Sequence, residues 1–225
     1  MNPALIKVCG LADAGSAVAC ASAGADWIGL NFHPPSPRSI TPQAGAEIAS
    51  ALAGLAEPVG LFVDRPPAEV AAIAALVGLG IIQLHGDETP EYVAELARLL
   101  PPPHRIVRAF RLSDAASVDR MSAYLEAVES LGAPLHAILV DAHVPGQAGG
   151  TGRSIPFEVV DHLPRHPRLI LAGGLTPENV AERVRRVQPW MVDVASGVES
   201  SPGVKDLGRV SRFVEAARSA RESFP

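Results

Sequence analysis

Lysine is nearly missing from this 225-residue chain, occurring only as Lys7 and Lys205 against seventeen arginines. That skew, with the many alanines and prolines, reads as genomic composition and carries little functional information. Cysteine is equally scarce. Cys9 and Cys20 are too few for a disulfide framework, which fits a reducing, cytoplasmic setting. Long apolar runs are missing too: the longest, at 48–55 and 71–79, fall well short of the roughly 20 residues that cross a bilayer. The opening MNPALIKVCG lacks a charged stretch followed by an apolar one, so it reads as a first strand rather than a signal peptide. No excess of positive charge is present either. Net charge is −5 with acids and bases dispersed, and the densest basic cluster (Arg183, Arg185, Arg186) sits at an expected helix C-terminus. A nucleic-acid partner and a membrane partner are both disfavoured.

What the chain does have is regular alternation. Short, mostly apolar runs at 5–9, 27–32, 59–63, 81–84, 106–110, 137–141, 169–172 and 191–195 read as parallel strands covered on both faces. Amphipathic stretches at 13–23, 42–53, 68–77, 90–99, 114–131, 156–163, 177–187 and 206–218 read as helices between them. Thr41-Pro42, Thr89-Pro90 and Thr176-Pro177 each place a capping hydroxyl before a first-turn proline. Eight strand–helix units fit a single-domain (β/α)8 barrel of the α/β class over residues 1–225, with an open doubly wound sheet as the alternative. No linker divides the chain, and the glycine-rich segment 143–155 reads as a long loop after the sixth strand.

In such a barrel the strand ends converge on one face. Polar residues at the expected ends are Lys7, Cys9, Asn31, Asp64, Gln83, His85, Arg108, Asp141, Asp193 and Ser196. Asp141 ends an apolar run, AILVD, where a carboxylate is costly to bury without a purpose; the alternative is that it caps a loop backbone. Cys20, inside an expected helix, reads as a small hydrophobe, whereas Cys9 ends a strand at the converging face. A thiol acts as a base only where its surroundings favour thiolate. Lys7, on the same strand face, could help modestly through its charge, form a Schiff base, or pair with an acid inside the barrel. Gly173-Gly174 follows the seventh strand and Ser196-Gly197 the eighth, which is where this architecture recurrently binds phosphate. Together they point to a phosphorylated small-molecule substrate. Gly149–152 could add donors, form a mobile cover, or be a plain loop.

Six motifs then occur in order over nearly the whole chain: KVCG at 7–10, SPRSI at 36–40 after GLNF, QLHGDE at 83–88, VDA at 140–142 with GGTG following, LAGGL at 171–175, and DVASGVES-PG-KD over 193–206. In this order the chain resembles the phosphoribosylanthranilate isomerases of tryptophan biosynthesis. The resemblance implies an Amadori rearrangement by acid–base catalysis, with no cofactor and no metal. It implies Asp141 as general acid, Cys9 as general base, and Arg38 as the holder of the anthranilate carboxylate. Asp193 would accept from sugar hydroxyls, Gly173, Gly174, Ser196 and Gly197 would bind phosphate, and Gln83 and His85 would line the site. His85 has no metal-ligand spacing around it.

Departures from the family pattern are the lack of Thr or Asn just after KVCG, FEV at 157–159 in place of Phe-x-Trp, and Ala195 where Ser or Asn is common. Two rivals on the same fold fit less well. A ribulose-phosphate epimerase would need His and Asp metal ligands on several strand ends, and a dual-substrate isomerase would carry Asp where Cys9 stands. A non-catalytic phosphate-binding barrel would have little use for both Cys9 and Asp141. A monomer and a homodimer are equally compatible with the sequence.

Overall fold

The computed structural model describes residues 4–142, 159, 162, 163 and 166–222. Eight parallel strands close into a barrel in chain order. They are β1 (Leu5–Cys9), β2 (Trp27–Asn31), β3 (Glu57–Phe62), β4 (Ile81–Leu84), β5 (Arg105–Leu112), β6 (Ala137–Ala142), β7 (Leu169–Leu171) and β8 (Met191–Val194). Because β8 pairs back onto β1, the sheet has no open edge. Helices α1 (Ala14–Ser22), α2 (Pro42–Leu52), α3 (Pro67–Val77), α4 (Pro90–Leu99) and α5 (Ala115–Ser130) follow the first five strands. Helix α6 (Val180–Val187) follows β7 and α7 (Leu207–Glu222) follows β8. The expected closed barrel, rather than the open sheet, is the architecture. The expected helix at 156–163 and the loop at 143–155, including Gly149–152, fall outside the described residues apart from Val159, His162 and Leu163. Among the described residues no helix is long and apolar enough to cross a membrane.

Local signals account for most helix starts. Thr41 and Thr89 accept hydrogen bonds from the backbone N–H groups of Ala44 and Tyr92, each with proline in the first turn. Asp13 caps α1 through Ser16, and Asp114 forms a reciprocal capping box with Ser117. At Thr176-Pro177 the hydroxyl caps as expected, accepting from the Glu178 backbone N–H at 3.2 Å, but the regular helix starts late. There Asn179 Oδ1 accepts from the Thr176 backbone N–H, and its Nδ2 donates to the Gly174 carbonyl. That side-chain bridge folds 174–179 into a turn, so the helix begins only at Val180. A further element, the antiparallel hairpin β9 (Glu199–Ser201) and β10 (Val204–Lys205), lies between β8 and α7 and was not expected.

Strand period two separates the two sides of the sheet. Inside the barrel, Trp27, Val59, Ile81, Val107, Ala109, Leu139, Ile170 and Met191 form one packed cluster. The intervening residues, such as Ile6, Val8, Ile28, Ile82 and Ile138, join the larger layer beneath the helices. Lys7 also points inside, fully buried, with its ammonium 3.0 Å from Asp193 Oδ1 on the neighbouring strand. The β1–β2 pair has no room for a side chain at Gly29. A Cβ there would lie 2.6 Å from Cys9 Sγ and 2.9 Å from Cys9 Cα, and a backbone atom cannot rotate away. The N-terminal end of the barrel is plugged by Trp27, Trp190 and His136, with the two indoles 5.5 Å apart edge to face. Burial, then the charges of Arg168 and Arg105, hold the His136 imidazole down at a pKa of about 4.

Two outcomes follow from these contacts. Gly29→Ala should lower stability by about 1–3 kcal/mol, because the strands must part to admit the methyl group; an unchanged urea midpoint would contradict this. His136 is neutral in the fold down to about pH 4, while the unfolded chain takes up the proton near its ordinary value of 6.5. The stability it contributes is therefore present above 6.5 and lost as pH falls from 6.5 towards 4. Between pH 7 and pH 5, His136→Phe should lose less melting temperature than the parent; an equal loss would show that His136 is not responsible.

Candidate active site

A cavity of about 270 Å³ opens among the C-terminal ends of the strands. Every expected site residue lines it: Cys9, Arg38, Gln83, His85, Asp141, Gly173, Gly174, Asp193, Ser196 and Gly197. They arrive from five strand ends (β1, β4, β6, β7 and β8) and from the segment after β2. Cys9 ends β1 and Asp141 lies near the end of β6, three strands apart around the ring through β7 and β8. Both occupy inward positions of their strands and line the same cavity.

Of the polar strand ends, Lys7, Asp64 and Arg108 do not line the cavity. Arg108 alternates with the inward Val107 and Ala109, so it faces outward. Its guanidinium donates to the carbonyls of Gly86 at 3.0 Å and Ala109, with Glu88 at 3.6 Å, and lies over the rings of Phe110 and Tyr124. Asp64 adopts a left-handed backbone (φ 48°) and accepts from the Asp87 N–H at 2.6 Å, which ties the loops after β3 and β4 together. Arg111, two residues beyond Ala109, is the β5 residue that lines the cavity. The same periodicity that turns Arg108 away could have found it, but β5 was expected to end at residue 110 and runs to Leu112.

The β2 side is held by a short network. Ser36 Oγ accepts from Asn31 Nδ2 at 3.1 Å and from the Arg38 backbone N–H at 3.2 Å, while Asn31 Oδ1 accepts from the His33 N–H at 2.8 Å. The fold thus presents Arg38 across Gly10, whose left-handed backbone (φ 84°) leaves no space for a Cβ beneath the arginine stem. The Arg38 guanidinium makes a two-pronged pair with Glu199, Nε to Oε1 at 2.8 Å and Nη2 to Oε2 at 2.6 Å. Glu199 also accepts from Lys205 Nζ at 2.7 Å, and Lys205 donates to the Ala195 carbonyl at 3.1 Å. Burial alone would push the Glu199 carboxyl up; the hydrogen bonds and charges of Arg38 and Lys205 outweigh it and bring the pKa down to about 2. Glu199 lies within the motif at 193–206, where the sequence alone assigns it no task. Its signal was a lone acid six residues before the chain's second lysine.

Across the cavity, Gln83 and His85 lie one above the other on the inward face of β4. Gln83 Nε2 lies 3.1 Å from His85 Nδ1. An amide N–H only donates, so Nδ1 is the acceptor and the ring proton of the neutral imidazole belongs on Nε2. That Nε2 faces Asp141 Oδ2 at 3.7 Å, an electrostatic contact too long for a hydrogen bond. Gln83 Oε1 is buried without a hydrogen-bond partner among the described residues. Lys7 lies beneath this floor. Burial opposes its charge most strongly of any single effect, yet Asp193 and Cys9 together raise its pKa. Of its three readings the structure supports the internal ion pair, alongside an electrostatic link to Cys9. A fully buried ammonium with a raised pKa is poorly placed to attack a carbonyl.

On the far rim, Gly173 (φ 85°) and Gly174 (φ 59°) take left-handed conformations that turn the chain sharply after β7. Ser196–Val198 forms a single 3-10 turn after β8. A Cβ at Gly197 would meet the Leu175 carbonyl oxygen at 1.9 Å, so the two turns pack backbone against backbone. Such paired glycine turns form a concavity suited to a phosphate group.

Known proteins of one family are similar to this chain over nearly its whole length. The family model described as N-(5'phosphoribosyl)anthranilate (PRA) isomerase matches residues 6–216. The N-(5'-phosphoribosyl)anthranilate isomerase of Geobacter sulfurreducens is 41% identical over 213 residues, covering 95% of this chain and 98% of that protein. The one from Rubrobacter xylanophilus is 40% identical over 216 residues, covering 96% and 100%. Among solved structures, the phosphoribosyl anthranilate isomerase of Thermotoga maritima superposes with a TM-score of 0.83 at 31% identity, over 96% of this chain and 99% of that one. A structure of such an isomerase in complex with reduced 1-(o-carboxyphenylamino)-1-deoxyribulose 5-phosphate gives 0.79 at 30% identity, over 96% and 99%. The chain belongs to the N-(5'-phosphoribosyl)anthranilate isomerase family.

Proposed function

We propose that residues 1–225 form one catalytic domain that converts N-(5-phosphoribosyl)anthranilate into 1-(2-carboxyphenylamino)-1-deoxyribulose 5-phosphate, a step of tryptophan biosynthesis, with Asp141 as acid and Cys9 as base. The observation that carries this reading is that a thiol, a carboxyl group, an arginine and two glycine turns line one cavity.

The chemistry follows from that arrangement. Asp141 protonates the ring oxygen as the C1–O bond breaks, and the anilino nitrogen supplies the electron pair that makes the C1=N iminium. The iminium acidifies the neighbouring C2–H. Cys9, as thiolate, takes that proton, and the C2–H electrons form the C1=C2 bond of an enolamine. Protonation at C1 and loss of the C2 hydroxyl proton give the ketone. Acid and base groups of this kind typically contribute ~10² to 10⁴-fold each, and the iminium is the electron sink.

Binding at both ends supplies the orientation. The edge of Arg38 that Glu199 does not occupy takes the anthranilate carboxylate, and Gly173, Gly174, Ser196 and Gly197 take the phosphate. Gln83 Oε1 and Asp193, in the cavity wall between them, accept from sugar hydroxyls, and His85 lies beside Asp141. We place the enzyme in the cytoplasm, as a monomer or homodimer. A relative from Thermotoga maritima is described as dimeric, with monomers generated from it.

The test is loss of phosphoribosylanthranilate fluorescence with purified protein. Cys9→Ser and Asp141→Asn should each lower kcat by at least ~10² while remaining folded. Full activity in both variants would overturn the assigned roles, and no turnover by the parent would overturn the activity.

A further inference from the structure

The hairpin β9–β10 belongs to neither wall of the barrel, yet it carries the buried pair Glu199 and Lys205. Glu199 lies at the centre of a five-bond cluster. Both of its oxygens engage Arg38, one also takes Lys205, and Lys205 reaches on to the carbonyl of Ala195 at the start of the phosphate-side turn. Arg209, from α7, closes the cluster by donating to the Glu199 backbone carbonyl at 2.7 Å. One carboxylate thus ties the carboxylate-binding rim to the phosphate-binding rim, about the end of β1 where Cys9 lies.

We propose that Glu199 and Lys205 are positioning residues that fix the orientation of Arg38 and set the balance of charge around the Cys9 thiol. The inference rests on the reading of Cys9 as base and Arg38 as carboxylate holder. Two prongs of the Arg38 fork are occupied by Glu199, so its remaining donors point in one fixed direction rather than sampling the cavity. Fixing that fork before substrate arrives removes an ordering cost from binding.

The charges around Cys9 come from every side. Lys7 shares its strand, Arg38 crosses Gly10 from the segment after β2, and Asp193 of β8 pairs with Lys7 and lines the same cavity as Cys9. Glu199 and Lys205 lie behind Arg38, while His85, Arg111 and Asp141 face it across the cavity. Lys7, Arg38 and Lys205 each interact electrostatically with Cys9, and Asp193 and Glu199 pair with them. Three cations against two carboxylates leave one net positive charge beside the thiol. Removing Glu199 makes it two, and removing Lys205 makes it none.

Opposite charge changes separate this proposal from simple damage to the hairpin. In Glu199→Gln the acid limb of kcat/KM should move to lower pH by about half a unit or more, and in Lys205→Met to higher pH by a similar amount. KM should rise roughly tenfold in Glu199→Gln as Arg38 loses its anchor. The same opposite shifts should appear in the pH dependence of Cys9 alkylation by iodoacetamide, followed at the Cys9 peptide to exclude Cys20. Alkylation does not depend on turnover, so it tests the charge balance even if Cys9 were not the base; that second failure would show as an active Cys9→Ser variant. Should either variant fail to fold, the other and the parent still supply a signed shift. Shifts in one common direction, or no shift with unchanged KM, would overturn the proposal.

Discussion

Closing eight parallel strands into a ring leaves each strand residue one of two directions, into the barrel or out beneath the helices. Everything at the site depends on that binary constraint. Leu5, Lys7 and Cys9 must point the same way, as must Ala137, Leu139 and Asp141. Once the lower inward positions are filled by the cluster around Trp27, Val107 and Leu139, the last inward residue of each strand forms the floor of a cavity. A one-residue slip of β1 or β6 would exchange Cys9 or Asp141 for an apolar neighbour. The return of β8 to β1, with Lys7 opposite Asp193, holds β1 in register.

That pair also shows what this interior tolerates. A fully buried ammonium is costly unless paired, and Asp193 at 3.0 Å is the compensating charge. Asp193 is at the same time a wall of the cavity. The ion pair beneath the site is therefore built into the fold rather than brought by mobile surface side chains. Glu199 and Lys205 repeat the arrangement on the outer side, where burial of both partners again makes the pairing obligatory. The chain's two lysines are both used in this way.

Much of this was legible in the amino-acid order because it depends on local rules. Apolar runs of strand length, threonine–proline helix starts and glycine turns after the last two strands each have a short-range cause, and all ten anticipated residues line one cavity. The misses share a different origin. Arg108 was considered with the site because strand ends were taken without phase; its outward position and its contacts with Gly86 and Glu88 depend on the register of β5. Thr176 caps as its sequence signals, but the regular helix begins only at Val180, after the Asn179 bridge between Thr176 and Gly174. Glu199 is 161 residues from Arg38 in the chain, and no local pattern announces a pair at that separation. Residue type and periodicity foretell which side chains reach the site, whereas the partners that hold them belong to tertiary structure.

We propose that one substrate spans the cavity with a fixed polarity, its carboxylate at Arg38 and its phosphate at the glycine turns, so that the sugar lies between Cys9 and Asp141. The most direct measurement is a crystal structure of this protein with the reduced product analogue 1-(o-carboxyphenylamino)-1-deoxyribulose 5-phosphate. The account predicts phosphate against Gly173, Gly174, Ser196 and Gly197, carboxylate on the outer edge of Arg38, and sugar C2 beside Cys9 Sγ. A ligand bound the other way round, or with its sugar carbons out of reach of Cys9 and Asp141, would contradict it.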